Sequence, residues 1–172
     1  MITQENNFGN VHQSQRGFFS KSLYEEMLKD DSIYLILVDL GYLTFNSIIR
    51  DFPDRVILTG ASEQAAMGIA VGLAQEGKKP FIYTITSFFL RCAETISLYV
   101  DHEKVPVRIC GAGRDDDYGA DGFTHFAYEA QKFIRALPER MQEYYPKDKE
   151  AVPDIIKEMV AHNVPSFISL KR

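Results

Sequence analysis

The sequence predicts an α/β fold: a mostly parallel sheet flanked by helices. Three observations carry this. Strand and helix patterns alternate from residue 18 to residue 172. The first strand segment, Ser32-Ile33-Tyr34-Leu35-Ile36-Leu37-Val38, is nearly all apolar, as a strand covered on both faces is. Asp39 and the glycine-rich stretch 111–122 each follow a strand segment at its C-terminal end, the edge where open parallel sheets bind ligands.

Residues 1–17 are rich in Asn, Gln and Ser and read as a flexible or partner-ordered arm, leaving 18–172 as one domain. Phe18 to Leu28 has helical spacing of Phe18, Leu23, Met27 and Leu28, and Asp30-Asp31 ends it. After the first strand, Thr44 to Arg50 reads as a short helix and Phe52-Pro53-Asp54 as a turn. Val56 to Leu58 is the second strand, and a helix begins behind Ser62, a candidate cap. Gly77-Lys78-Lys79-Pro80 turns the chain into a third strand, Phe81 to Ile85. A helix over Ser87 to Val100 and a strand over Val105 to Cys110 follow. A helix is expected from His125 to Leu137, ended by Pro138. Gln142 to Tyr145 is a weak strand, Lys149 to His162 a helix, and Ser166 to Leu170 the last strand.

Composition narrows the function. The 172 residues are enough for one domain with a buried core. A net charge of −5 without a basic cluster argues against a nucleic-acid partner. Cys92 and Cys110 lie in apolar segments and read as reduced core residues of a cytoplasmic protein. Neither has the Cys or His spacing of a zinc site, so no metal ligand is assigned to this chain. The polar first fifteen residues do not read as a signal peptide. The longest uncharged apolar stretch, Gln64 to Ala74, is too short to span a bilayer.

The organising stretch is Gly60 to Ala74. Its helix is lined with Ala65, Ala66, Gly68, Ala70, Gly72 and Ala74, so another element can approach closely. Gly68 and Gly72 each cost about 1 kcal/mol of helix propensity against Ala, which close packing would explain. Glu63, in the first turn, has two readings. It is a first-turn acid that favours the helix dipole, or a buried acid aimed at a ligand. Asp39 likewise reads as a turn residue or as a ligand group at the sheet edge.

Three motifs occur in order: Val38-Asp39-Leu40-Gly41, Gly60-Ala61-Ser62-Glu63-Gln64, and Gly119-Ala120-Asp121-Gly122-Phe123-Thr124-His125. Together they resemble the pyrimidine-binding domain of transketolase and its relatives, which use thiamine diphosphate. That family reads roughly A-D-L, G-I-A-E-Q and G-E-D-G-P-T-H, with an aromatic between the last two. The resemblance runs from about Ser20 to Arg172 and implies the thiamine diphosphate-binding fold of the pyrimidine type.

The resemblance also implies roles. Glu63 matches the acid that holds N1′ of the aminopyrimidine, an interaction that needs a dry site. Phe88 matches the aromatic that stacks on that ring, although Phe88 or its neighbour Phe89 must also serve the core. Asp39 matches the acid beside the cofactor. Asp121 and His125 match the donor-hydroxyl ligand and the group at the reacting carbonyl; Glu63 and His125 would thus be catalytic. His12, His102 and His162 are assigned no role.

Departures stand beside the matches. Ala120 replaces the family's glutamate and Phe123 its proline. Leu43 falls where a phosphate-binding serine is expected, and Gly113 where a substrate histidine is. Two handles for a sugar phosphate are therefore missing, and Arg114 is the candidate replacement as an anion ligand. The chain has no Gly-Asp-Gly, the mark of the domain that holds diphosphate and Mg²⁺. The resemblance thus implies half an active site, completed by a separate diphosphate-binding subunit in a two-plus-two heterotetramer. The implied activity is two-carbon ketol transfer from a ketose to an aldose, free or phosphorylated. A 2-oxo acid decarboxylase subunit and a non-catalytic structural partner are the alternatives.

Overall fold

The computed structural model describes residues 13–41, 43–139 and 141–172. Most of the expected arm, with His12, lies outside the described residues. Six strands form one sheet: β1 (Ile33–Leu37), β2 (Val56–Leu58), β3 (Lys79–Ile85), β4 (Arg108–Ala112), β5 (Gln142–Tyr144) and β6 (Ser166–Leu170). Their spatial order is β2-β1-β3-β4-β6-β5, and every neighbouring pair is parallel. The helices are α1 (Gln15–Met27), α2 (Asn46–Asp51), α3 (Glu63–Gln75), α4 (Ala93–Thr95), α5 (Tyr128–Arg135) and α6 (Val152–Ala161).

The strand periodicity of two builds two cores. Leu35, Leu37, Phe81, Tyr83, Cys110, Ile168 and Leu170 face a layer that includes Phe19, Leu23, Ile48, Ile156 and Met159 of α1, α2 and α6. Ile36, Ile82, Ile109 and Phe167 point to the other face. There they meet Ala66, Met67 and Ala70 of α3, Ile134 of α5, and Phe89 and Ile96 of the segment 86–102. Within the first core, the Phe19 ring stacks on Tyr83 at 5.8 Å and Phe45 meets Tyr83 edge-on at 4.8 Å. Removing a ring such as Phe19 would cost about 3–5 kcal/mol.

The topology locates the working edge. From β1 the chain passes through α2 to β2, then returns through α3 on the opposite face to β3. The order therefore reverses between β1 and β3, whose Leu37 and Tyr83 lie side by side in register. Ligand crevices in open α/β sheets form outside the carboxyl ends of strands at such a reversal.

Several local expectations are revised. α1 starts at Gln15, three residues early, because Ser14 Oγ accepts from the Gly17 amide at 3.1 Å and caps it. Ser62 does not cap α3. Its hydroxyl donates back to the Thr59 carbonyl at 2.5 Å and closes the preceding turn instead. The helix expected over 87–100 is a composite: 3₁₀ over Thr86–Cys92, one α turn in α4, and π over Ile96–His102. Its buried apolar side chains, Phe89, Cys92, Ile96 and Val100, follow spacings of three, four and four, and the winding adapts to keep all four on the sheet. β4 begins at Arg108, because Pro106 has no amide to donate and Val107 bonds to Val105 at 2.7 Å. The helix after the glycine loop begins at Tyr128, so His125 lies in a 3₁₀ turn ahead of it. Cys92 and Cys110 are buried free thiols, as expected. Burial pushes Cys92 up to about 12, with the Glu63 carboxylate adding to the shift, so it is not a nucleophile at neutral pH.

Candidate active site

Glu63 sits at the first position of α3 and is buried, 4% exposed. Gln64, beside it, points to the 86–102 segment and donates to Thr95 Oγ1 at 2.6 Å. That segment leaves β3 through Thr86, whose hydroxyl donates to the Gly113 carbonyl at 2.6 Å. The next residues divide the labour that the sequence left open. Phe89 is buried in the second core, while Phe88 is half-buried at the surface.

Phe88 and Glu63 face one slot, and Arg91 lies in it. Arg91 Nη1 donates to Glu63 Oε1 at 2.7 Å, and the guanidinium carbon stands 4.8 Å from the centre of the Phe88 ring. On the other side, the His125 ring meets Phe88 edge-on at 5.2 Å. Ser87 Oγ donates to the Thr124 carbonyl at 3.0 Å and pins the 3₁₀ turn that carries His125. Asp121 ends the preceding 3₁₀ turn and is exposed, with Gly122 at φ +83° between the two turns. A side chain at 122 would be strained in that left-handed conformation.

A cavity of about 490 Å³ opens at the strand reversal, lined by Arg16, Asp39, Gly41, Gly60 and Tyr83 among others. Asp39 follows β1 with φ 45°, an uncommon conformation that costs on the order of 1 kcal/mol. Burial raises the Tyr83 phenol, so it is neutral here. Sequence reasoning missed Arg16. Its Nη1 donates to Tyr118 Oη at 3.0 Å, and its Nε is buried with no hydrogen-bond partner among the described residues. Tyr118 in turn lies 6.3 Å from the His125 ring, so side-chain contacts link Arg16 of the cavity to His125.

Arg114 does not reach this cavity. Its guanidinium donates to the carbonyls of Pro146 and Ser169 and stands over the Tyr145 ring, bracing the glycine loop against the end of β6. Asp117 Oδ2 accepts from the amides of Arg114 and Arg172, both at 3.0 Å, so this aspartate of the triplet is a structural clamp. Gly113 has φ +83°, and a Cβ there would run into the Tyr118 ring. The histidine that the resemblance leads one to expect at this position has no room.

The residues fit an aminopyrimidine. Glu63 and Phe88 already hold one planar, N–H-bearing group between them, the Arg91 guanidinium. The same acid could hold a ring nitrogen and the same ring could stack on a heterocycle. Among the described residues no helix is long and apolar enough to cross a membrane.

Comparison with known proteins gives the family and the fold. The family model for the pyrimidine binding domain of transketolase matches residues 12–172. One of the subunits of the apulose-4-phosphate transketolase of Phocaeicola vulgatus is 28% identical over 159 residues, 91% of this chain and 51% of that protein. A probable chloroplastic 1-deoxy-D-xylulose-5-phosphate synthase of Capsicum annuum is 37% identical over 127 residues, 73% of this chain and 18% of the synthase. A solved structure described as a split gene transketolase, in an inactive beta4 tetramer, superposes with a TM-score of 0.80 at 30% identity. It shares 92% of this chain and 52% of its own. The chain thus spans about half the length of the apulose-4-phosphate relative and under a fifth of the synthase.

Proposed function

Because the chain belongs to the transketolase family as a pyrimidine-binding domain, we propose that it is one subunit of a split transketolase-like enzyme, active only with a separate diphosphate-binding subunit. The complex would transfer a two-carbon ketol unit from a ketose to an aldose. The observation that carries this is the joint hold of a buried Glu63 and a half-buried Phe88 on a single planar group.

Thiamine diphosphate supplies the carbon nucleophile when bound. Glu63 holds a proton at N1′ of the pyrimidine, and its burial strengthens that interaction. Phe88 stacks on the ring and fixes its plane. His125, pinned through Thr124, exchanges a proton with the oxygen of the reacting carbonyl. Asp121, on the exposed turn beside it, accepts a hydrogen bond from a donor hydroxyl. Asp39 and Arg16 line the cavity, and Arg16 takes the place first given to Arg114 as the cation for an anionic end of the sugar.

The partner would carry Gly-Asp-Gly and supply the oxygen ligands of Mg²⁺ and the diphosphate contacts. Its docking surface on this chain is the outer face of α3. A Cβ at Gly68 or Gly72 would meet nothing within 4 Å, and Ile69 is exposed between them. Two copies of each subunit would give two sites. The buried reduced thiols suit a cytoplasmic location.

The identity to a probable 1-deoxy-D-xylulose-5-phosphate synthase favours a second, synthase-like reading, which we test with a 2-oxo acid in place of the ketose as donor. Reconstitution separates the two. The complex with thiamine diphosphate and Mg²⁺ is offered ketose and aldose, or 2-oxo acid and aldose. Product from the first pair alone supports ketol transfer, and product from the second alone replaces it with the synthase.

A further inference from the structure

The contact between Arg91 and the two residues of the slot has a shape beyond an ordinary surface ion pair. Its acid is 4% exposed, while the Arg91 side chain is 58% exposed. The guanidinium bonds the acid edge-on through Nη1 at 2.7 Å and lies 4.8 Å from the Phe88 ring centre. A flat group that donates N–H in its plane and rests on an aromatic ring copies a protonated aminopyrimidine in both respects. A pyrimidine ring that used Glu63 Oε1 and the same face of Phe88 would compete with Arg91 for both.

We propose that Arg91 is a placeholder for the pyrimidine ring: it occupies Glu63 and Phe88 in the cofactor-free subunit and swings outward when the cofactor enters. This rests on the split-enzyme reading above. Three features support it. A buried acid without a counter-ion is costly before assembly, and Arg91 removes that cost. The exposure of Arg91 leaves a solvent path for its departure. Its anchor is light, since Leu90 beside it is 40% exposed while Phe89 and Cys92 hold the segment to the core. Arg91 is thus a positioning residue that sets cofactor affinity against subunit stability.

The placeholder makes an unusual demand, that deleting a cation near the site should improve binding. The dissociation constant of thiamine diphosphate, with Mg²⁺ present, is measured for the assembled complex carrying wild type, Arg91→Met, Arg91→Lys, Glu63→Gln and the Arg91→Met/Glu63→Gln pair. Arg91→Met is expected to tighten binding roughly three- to tenfold. Arg91→Lys, which can pair with the acid but cannot lie flat on the ring, should fall between. In the Glu63→Gln background the gain from Arg91→Met should shrink. A complex that binds cofactor but gains nothing from Arg91→Met overturns the placeholder and leaves the split site standing. A wild-type complex that binds no thiamine diphosphate overturns both. Thermal midpoints of the chain alone give an independent arm. Additive effects of the two substitutions there would mean that Arg91 does not rest on Glu63, and the proposal fails.

Discussion

Arg91 and Glu63, 28 residues apart in sequence, meet at 2.7 Å and tie the first turn of α3 to the segment that leaves β3. One buried acid therefore serves a structural pair in the free subunit and a cofactor in the proposed complex. Glu63→Gln keeps the shape and one acceptor oxygen but loses the ionisable proton. We expect the complex to lose about 10²- to 10⁴-fold in kcat, with circular dichroism and assembly unchanged. A variant with full activity would remove Glu63 from the chemistry.

Gly72 separates fold from assembly. Among the described residues nothing beyond the helix's own backbone lies within 4 Å of a Cβ at that position, so a leucine there improves helix propensity by up to about 1 kcal/mol. The same side chain would stand in the proposed partner interface. Gly72→Leu should raise the thermal midpoint of the chain alone while weakening the complex at least tenfold, read by sedimentation or titration calorimetry. Unchanged association would move the interface off α3.

Much of this arrangement was legible in the sequence. β2 and β6 fall where composition and turn residues put them, because short apolar runs bounded by Pro, Asp and Gly leave little freedom. The three motifs converge on the carboxyl edge because parallel topology delivers every strand end to one side. What was not legible depended on long-range partners. The winding of 86–102 follows the sheet it packs on rather than its own propensity. Arg114 is held away from the cavity by the carbonyls of Pro146 and Ser169, while α1 carries Arg16 to its lining. No local spacing distinguishes two such arginines.

Arg108 is a third case. It is fully buried, and its guanidinium donates to the carbonyls of Met159, Pro106 and His162 at 2.7–2.8 Å. It caps the end of α6 from inside the sheet, and burial lowers its pKa to about 10. Arg108→Met should cost about 3 kcal/mol in urea unfolding, since three carbonyls lose charged donors. A loss below about 1 kcal/mol would mean that water replaces them.

Asp30 sets an acid limit on the fold. Burial opposes its ionisation, but Lys79 at 2.8 Å and two hydrogen bonds from Ser32 outweigh it and hold the carboxyl at about 2. A carboxyl depressed in the folded state stabilises above its unfolded value, near 3.8, and loses that contribution as pH falls toward about 2. With the side chain 27% exposed, screening leaves about 1 kcal/mol. Asp30→Asn should therefore destabilise by about that amount at pH 7 and by little at pH 2. An equal penalty at both pH values would assign it to packing instead.

The most direct test of a shared active site is ketol transfer by mixed, separately purified subunits. This chain and a co-purifying Gly-Asp-Gly subunit are assayed alone and together, with thiamine diphosphate and Mg²⁺ and a ketose–aldose pair. The account predicts no turnover from either alone, turnover from the mixture, and its loss with Glu63→Gln. Turnover by the partner without this chain, or a mixture that neither retains thiamine diphosphate nor turns over, would contradict it.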